Sequence, residues 1–273
     1  MEIIESSIEV VLAALRAGKP VLVTDAADRE DEGDAIIAAE FATTEWMAWM
    51  IRYTSGYICA PMTEQRANEL DLPLMWVKTQ DPHRTAYTVS VDATDRATTG
   101  ISAADRGLTA RVLADRNSGP LSLMRPGHVL PLRAKDGGVL ERAGHTEAAV
   151  DLMKLAGLEP VAMMAEMVND DGTMMRREEL FQTALRFDLP MTSISNLKDH
   201  LAKRSLKLNP SGNRIRFDAE AKLPTTHGDF RVRGYYDVQT TADHVAIIAG
   251  NPTGKNVLVR LHSECITGEA FGS

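Results

Sequence analysis

Up to about residue 204 the chain switches repeatedly between a helical and an extended hydrophobic period. That alternation confines it to layered folds in which helices cover a sheet. "SSIEVVLAALRAGKP" opens with a serine cap, places apolar residues at helical spacing and stops at Gly18 and Pro20. "VLVT" (21–24) reads as a strand, an acidic loop follows, and "AIIAAE" resumes an extended apolar run. "TTEWMAWMIRYTSG" starts at a threonine cap and ends at Gly56, a second helix. "TAYTVSVDA" puts Tyr87, Val89 and Val91 on one face and Thr88, Ser90 and Asp92 on the other, which predicts a strand. "SAADRGLTARVLADR", "HTEAAVDLMKLAG" and "REELFQTALRF" predict helices, with "VAMMAEMV" as a buried strand between the last two. The expected class is α/β (α+β): a layered mixed sheet with helices on its faces.

After Arg204 the character changes. "SLKLNPSGNRIRFDAEAK" is polar and carries a Pro-Ser-Gly-Asn turn, so residues 205–222 read as a linker or an exposed extended arm. From 223 to 273 the chain turns strand-like in "RVRGYYDV", "HVAIIAG" and "NVLVRLHS", the start of a second, β-rich module. No internal repeat accompanies this division.

Composition removes several functions. A net charge of -8 opposes general nucleic-acid binding, which needs a basic face. No apolar run approaches the roughly 20 residues of a membrane-spanning helix. "MEIIESSIEV" lacks the basic region of a secretory leader. Cys59 and Cys265 are far apart and in no metal-binding spacing, so a reduced, cytoplasmic protein is expected.

The densest chemistry is "DREDEGD" (28–34). Adjacent carboxylates repel, so either this is a solvated turn or a cation belongs among them. In an extended chain Glu30, Glu32 and Asp34 share a face, with Asp31 opposed and Gly33 allowing a bend. Three convergent oxygens suit a hard cation such as magnesium. A calcium EF-hand fails because its twelfth position is Ala39 and its flanks read as strands.

Two histidines, His128 in "RPGHVLPLRA" and His145 in "RAGHTE", each follow a glycine and read as loop residues. They are candidates for ligands or acid/base groups, with a structural loop role as the alternative. The loop at His145 runs straight into a helix, and Arg142, Thr146 and the helix N–H groups form a plausible anion site. Glu166 is a lone carboxylate in an apolar strand, where burial would raise its pKa toward that of a proton carrier and an edge position would leave it solvated. The methionines around it and Trp46 and Trp49 read as core, Cys59 as a small buried hydrophobe, and isolated His83 and His200 carry no functional signal.

Taken in order, "DREDEGD", "TAYTVSVDA", "TTGISAADR", "RPGHVLPLRA", "GGVLERAGHTEAAVDLMKLAG" and "NDDGTMMRREEL" resemble 3,4-dihydroxy-2-butanone 4-phosphate synthase over residues 1–204. "LPTTHGDFRVRGYYDV" through "VLVRLHSECITGEAFGS" resembles the beginning of GTP cyclohydrolase II, so the whole looks like a fusion of the two with the second part incomplete. The resemblance implies magnesium-dependent conversion of ribulose 5-phosphate to dihydroxybutanone phosphate and formate, with two ions per site and manganese as the alternative ion. It implies that Arg29, Glu30, Asp34, Arg142, Ala143, Gly144, His145, Thr146 and Glu166 hold substrate. Glu30 and His145 would bind metal, and His128 and Glu166 would be catalytic. It also implies a homodimer with shared active sites, in which a copy lacking Glu30 complements one lacking His145. Opening of GTP is not expected, because the family holds zinc with three cysteines and only Cys265 is present there. Thr79 and Leu130 depart from the family's usual asparagine and phenylalanine. A weakly active paralogue serving as a binding or regulatory partner of riboflavin enzymes is the rival reading, and the intact set of polar residues opposes it.

Overall fold

The computed structural model describes residues 3–208, 213–238, 242–252 and 257–260. The chain divides into two compact units, residues 1–202 and 203–273.

The first unit contains, in chain order, α1 (Ile8–Arg16), β1 (Val21–Thr24), β2 (Gly33–Ala38), α2 (Thr44–Tyr53), β3 (Cys59–Met62), α3 (Glu64–Glu69), β4 (Val91–Ala93), α4 (Ala103–Ala114), β5 (Leu123–Arg133), α5 (Gly138–Glu141), α6 (His145–Ala156), β6 (Ala162–Glu166), α7 (Arg177–Phe187) and β7 (Met191–Ser193). α8 (Ile194–Leu208) runs across the boundary. The helix starts are set by side-chain caps. Ser7, Thr43 and Ser102 each accept the backbone N–H three residues on, at 3.5, 3.2 and 3.0 Å.

The strands form one mixed seven-stranded sheet in the order β4-β5-β3-β6-β2-β1-β7. Pleat alternation divides its side chains between two cores. Leu22, Ala35, Ile37, Met163 and Ala165 face one core, which α2, α4 and α7 close with Met47, Met50, Leu113 and Leu180. Val21, Val23, Ile36, Ala38, Ala162 and Met164 face the other, closed by Val11 and Leu15 of α1, Ala149 and Leu152 of α6 and Leu197 of α8. Helices therefore cover both faces, as the alternating periods require.

Two expectations are corrected in the first unit. "TAYTVSVDA" forms a strand only at Val91–Ala93, while Tyr87 and Thr88 make single bridges to Leu132 and Leu74. Its partner β5 contains Pro126 and Pro131, which have no N–H to give, and the register jumps between Val91 and Asp92. His128 is accordingly not in a loop. It sits in β5 within this irregularity, because Val91 opposes Val129 whereas Asp92 opposes Met124.

The second unit is a three-stranded antiparallel sheet of β8 (Ile215–Thr225), β9 (Gly228–Asp237) and β10 (Ala242–Ala249), ordered β10-β9-β8. Much of the stretch read as a linker is thus regular structure: α8 continues to Leu208, and β8 is laddered to β9 from Ile215. The segment looked like a linker because β8 is largely exposed and interrupts its apolar residues with Arg216, Asp218, Glu220 and Lys222. Glu220 meets Arg231 and Arg233 on the neighbouring strand, and such cross-strand pairs hold a polar ladder together. Of "NVLVRLHS", residues 257–260 belong to no strand, and Cys265 lies outside the described residues. Among the described residues no helix is long and apolar enough to cross a membrane.

Candidate active site

The acidic stretch is a turn, not an extended chain. Asp31 takes a left-handed backbone (φ 55°), and the strand begins only at Gly33. Convergence of the carboxylates comes from Asp25, which was not among the expected site residues. Its carboxylate accepts the backbone N–H of Glu30 (3.0 Å) and of Glu32 (2.9 Å) and a guanidinium N–H of Arg29 (3.1 Å). The turn folds around that side chain and delivers Arg29, Glu30, Glu32 and Asp34 to one cleft. Gly33 serves close approach instead of a bend, since a Cβ there would lie 2.4 Å from Leu180 Cδ1.

His145 is the first residue of α6 and is buried. Its Nδ1 lies 3.8 Å from Glu30 Oε2 and 3.8 Å from Asp34 Oδ1, while Nε2 lies 3.2 Å from the Val23 carbonyl. Only an N–H at Nε2 satisfies that carbonyl, so the neutral ring presents the Nδ1 lone pair to the carboxylates. Arg142, at the entrance to the same helix, donates to the His83 carbonyl (2.9 Å), Thr85 Oγ1 (3.1 Å) and the buried Glu147 carboxylate (2.5 Å). Ala143 and Gly144 carry the chain from Arg142 to His145, and Gly144 is the cap of α6. Thr146 lines the cleft beside Arg142 and His145.

Glu166 ends β6, the central strand of the sheet, and lies opposite Asp34 in the β2–β6 ladder. It is neither a solvated edge residue nor fully buried, and it accepts the Ser55 hydroxyl at 2.6 Å. Cys59, Leu132, Met164 and Tyr87 supply the less polar wall. His128 stands apart: it does not line this cleft, and its ring pairs with Asp92. Glu30 and His145 lie together in one chain, so copies deficient in one or the other cannot rescue a site between them. The complementation expected of that pair is corrected accordingly.

Sequence reasoning passed over Asp25, Asp92, Glu147, Thr85 and His83. The His83 ring comes within 3.7 Å of Glu30 Oε1, so its loop closes over the acidic turn. "DPHRT" holds no local signal of this, because the contact spans more than fifty positions.

The electrostatics are strongly coupled. The His145 imidazolium, opposed by burial and helped by Arg29, lowers Glu30 to about 2. Burial pushes Asp34 up to about 7 despite His145, with Glu166 and Glu30 adding repulsion. Burial pulls His145 down, but Asp34, Glu30 and Asp25 outweigh it and raise the ring to about 9. Burial and the neighbouring Glu30 and Glu166 also raise Glu32. One buried imidazolium thus offsets part of the repulsion among these carboxylates, and the rest persists in the raised Asp34 and Glu32.

Residues 9–200 match the family model of 3,4-dihydroxy-2-butanone 4-phosphate synthase, and residues 216–273 match that of GTP cyclohydrolase II. The chain belongs to the 3,4-dihydroxy-2-butanone 4-phosphate synthase family of lyases and carries a short segment of cyclohydrolase II type behind that domain. It is 52% identical over 268 residues to riboflavin biosynthesis protein RibBA of Salinispora arenicola (strain CNS-205), covering 98% of this chain and 62% of that protein. The chain therefore spans less than two thirds of that relative's length. Among solved structures, a 3,4-dihydroxy-2-butanone 4-phosphate synthase in complex with two magnesium ions is 47% identical with a TM-score of 0.72, over 72% of this chain and 97% of its own. RibBX, a two-domain synthase from A. baumannii, is 35% identical with a TM-score of 0.71, over 90% of this chain and 70% of its own.

Proposed function

We propose that residues 1–204 form a magnesium-dependent synthase domain that converts D-ribulose 5-phosphate to 3,4-dihydroxy-2-butanone 4-phosphate and formate, a step of riboflavin biosynthesis. In the same reading, 223–273 is part of a cyclohydrolase II-like domain, and the protein works in the cytoplasm as a homodimer. The observation that carries it is the meeting of the Glu30 turn with His145 and Arg142 at the start of α6, in a family whose relative binds two magnesium ions.

The residues present fit such an ion. Ligand atoms of Asp25, Glu30 and His145 lie within 4.8 Å of one another, and Asp34 Oδ1 is buried without a hydrogen-bond partner. A set rich in carboxylate oxygen with one imidazole nitrogen suits magnesium or manganese. Glu30 and His145 would hold the metal, and the Val23 carbonyl would orient the ring from behind. A bound divalent ion supplies Lewis-acid polarisation of the ketone and its neighbouring hydroxyls.

The chain's own groups do the rest. Arg142, clamped by Glu147 and Thr85, and Thr146 at the positive end of α6 receive the phosphate. Arg29 and Asp34 take substrate hydroxyls. Glu166, oriented by Ser55, moves protons between carbon and oxygen. The reaction balances without added water, because water lost on dehydration returns in the hydrolytic step that frees formate. The wall of Leu132, Met164 and Tyr87 limits bulk water, which would otherwise let an enediol phosphate decompose. His128, remote from its own chain's cleft, would enter the cleft of a second copy. The test is formate release from ribulose 5-phosphate with magnesium, abolished by EDTA and restored by excess metal. Turnover that persists in EDTA would remove the metal from the account.

A further inference from the structure

The register jump between β4 and β5 places the His128 backbone and ring against one buried side chain. Asp92 Oδ1 accepts the His128 backbone N–H at 2.8 Å, and Asp92 Oδ2 lies 2.7 Å from ring Nδ1. Both carboxylate oxygens thus grip one residue. Asp92 is 4% exposed, whereas the His128 side chain is 41% exposed, so the ring is held from behind and open in front. The loop before α4 is shaped to fit the pair. Gly100 has φ +88°, and a Cβ there would stand 2.0 Å from Asp92 Oδ2 and 2.7 Å from His128 Nδ1. Asp105 ties that loop down by accepting the Thr98 N–H, the Thr98 hydroxyl and the Gly100 N–H. The buried Arg106 guanidinium, which donates to the Gly56 carbonyl at 3.1 Å, is within electrostatic reach of Asp92. Burial lowers its pKa and the Asp92 charge raises it.

A carboxylate can only accept. At 2.7 Å it therefore selects the tautomer with the proton on Nδ1, and Nε2 is left as a lone pair facing outward. We propose that Asp92 is the positioning residue of His128, holding its imidazole in the Nδ1–H tautomer so that Nε2 can exchange protons with substrate. This rests on the acid/base reading of His128, and it adds a residue to which the family resemblance assigned no role in the site. A purely structural Asp92 would need only the bond from Oδ1 to the backbone.

Asp92→Asn separates the two roles, because an amide can keep the backbone bond while its NH2 faces Nδ1 and forces the proton onto Nε2. The experiment uses the full chain labelled with 15N-histidine, with the His128 ring signals identified by their loss in His128→Gln. At a pH where the ring is neutral, the wild type should show Nδ1–H and Asp92→Asn should show Nε2–H. Formate release by Asp92→Asn should fall by about 100-fold or more in kcat, with KM within about twofold, as expected when a general base carries the wrong tautomer. An Nε2–H tautomer in the wild type would overturn the proposal, and that measurement requires no variant to fold. So would wild-type kcat in Asp92→Asn while His128→Gln is inactive. Full activity of His128→Gln would instead remove the acid/base reading of His128, and the ring signals would still decide whether Asp92 sets its tautomer.

Discussion

Replacing Asp25 by alanine separates two roles for a carboxylate in this cluster, anchor or ligand, by the sign of its effect on stability. The Asp25 side chain is 1% exposed and receives two backbone N–H groups and one guanidinium N–H. Its loss strands the Glu30 and Glu32 amides, at about 1–3 kcal/mol each if they stay dry. The turn is only half-buried, so water recovers part of this, and a net loss of about 2 kcal/mol is the working figure. For a domain of this size that lowers Tm by about 4–8 °C, measured by thermal denaturation in EDTA. The same 2 kcal/mol must be spent to re-form the Glu30 turn on metal binding, which weakens Mn2+ or Mg2+ affinity by about 30-fold in calorimetric titration. If Asp25 were only one more crowded carboxylate, its removal would relieve repulsion and raise Tm in EDTA. A Tm at or above wild type with unchanged metal affinity would refute the anchoring argument.

Glu30→Gln and His145→Ala are each expected to cut formate release below about 1% of wild type and to weaken metal binding, as loss of a ligand or its orienting shell does by tenfold or more. Undiminished titration of metal by either variant would clear that residue of ligation. Glu166→Gln should keep its Tm within a few degrees, since the amide can still accept from Ser55, yet lose at least about 100-fold in kcat. Unfolding with full specific activity per folded molecule would make Glu166 structural. If the sites are shared in the proposed dimer, mixed and exchanged Glu30→Gln and His128→Gln proteins should recover up to about a quarter of wild-type activity, because a mixed dimer, half of the exchanged population, would then hold one intact site of two. No recovery after proven subunit exchange would put His128 outside the second copy's cleft.

Helices and buried strands were legible in the sequence because their signals are local. Ser7, Thr43 and Ser102 announce helix starts, and the alternation in "GDAIIA" divides Ala35 and Ile37 from Ile36 and Ala38. The gathering of Glu30, Glu32 and Asp34 was legible as composition but not as geometry. The alternation argument assumed a strand, whereas Asp25 bends the segment into a turn before β2 begins. Asp92 escaped notice because it looked like the polar half of an alternating strand, and its partner His128 lies 36 positions away. Glu147 likewise reads as an ordinary first-turn helix acid, yet it is buried against Arg142. The 205–222 segment misled in the opposite direction. Its charge suggested solvent, and β8 is indeed largely exposed, but cross-strand arginine–glutamate pairs let such a sequence form a ladder.

The proposed reaction is tested by following ribulose 5-phosphate by 31P and 13C NMR in the presence of the purified chain and magnesium. One new phosphate ester and formate should appear in equal amounts, both should cease in EDTA, and Glu30→Gln should form neither. Substrate left untouched by metal-loaded, folded protein, or consumed at the same rate by Glu30→Gln, would contradict the proposed reaction.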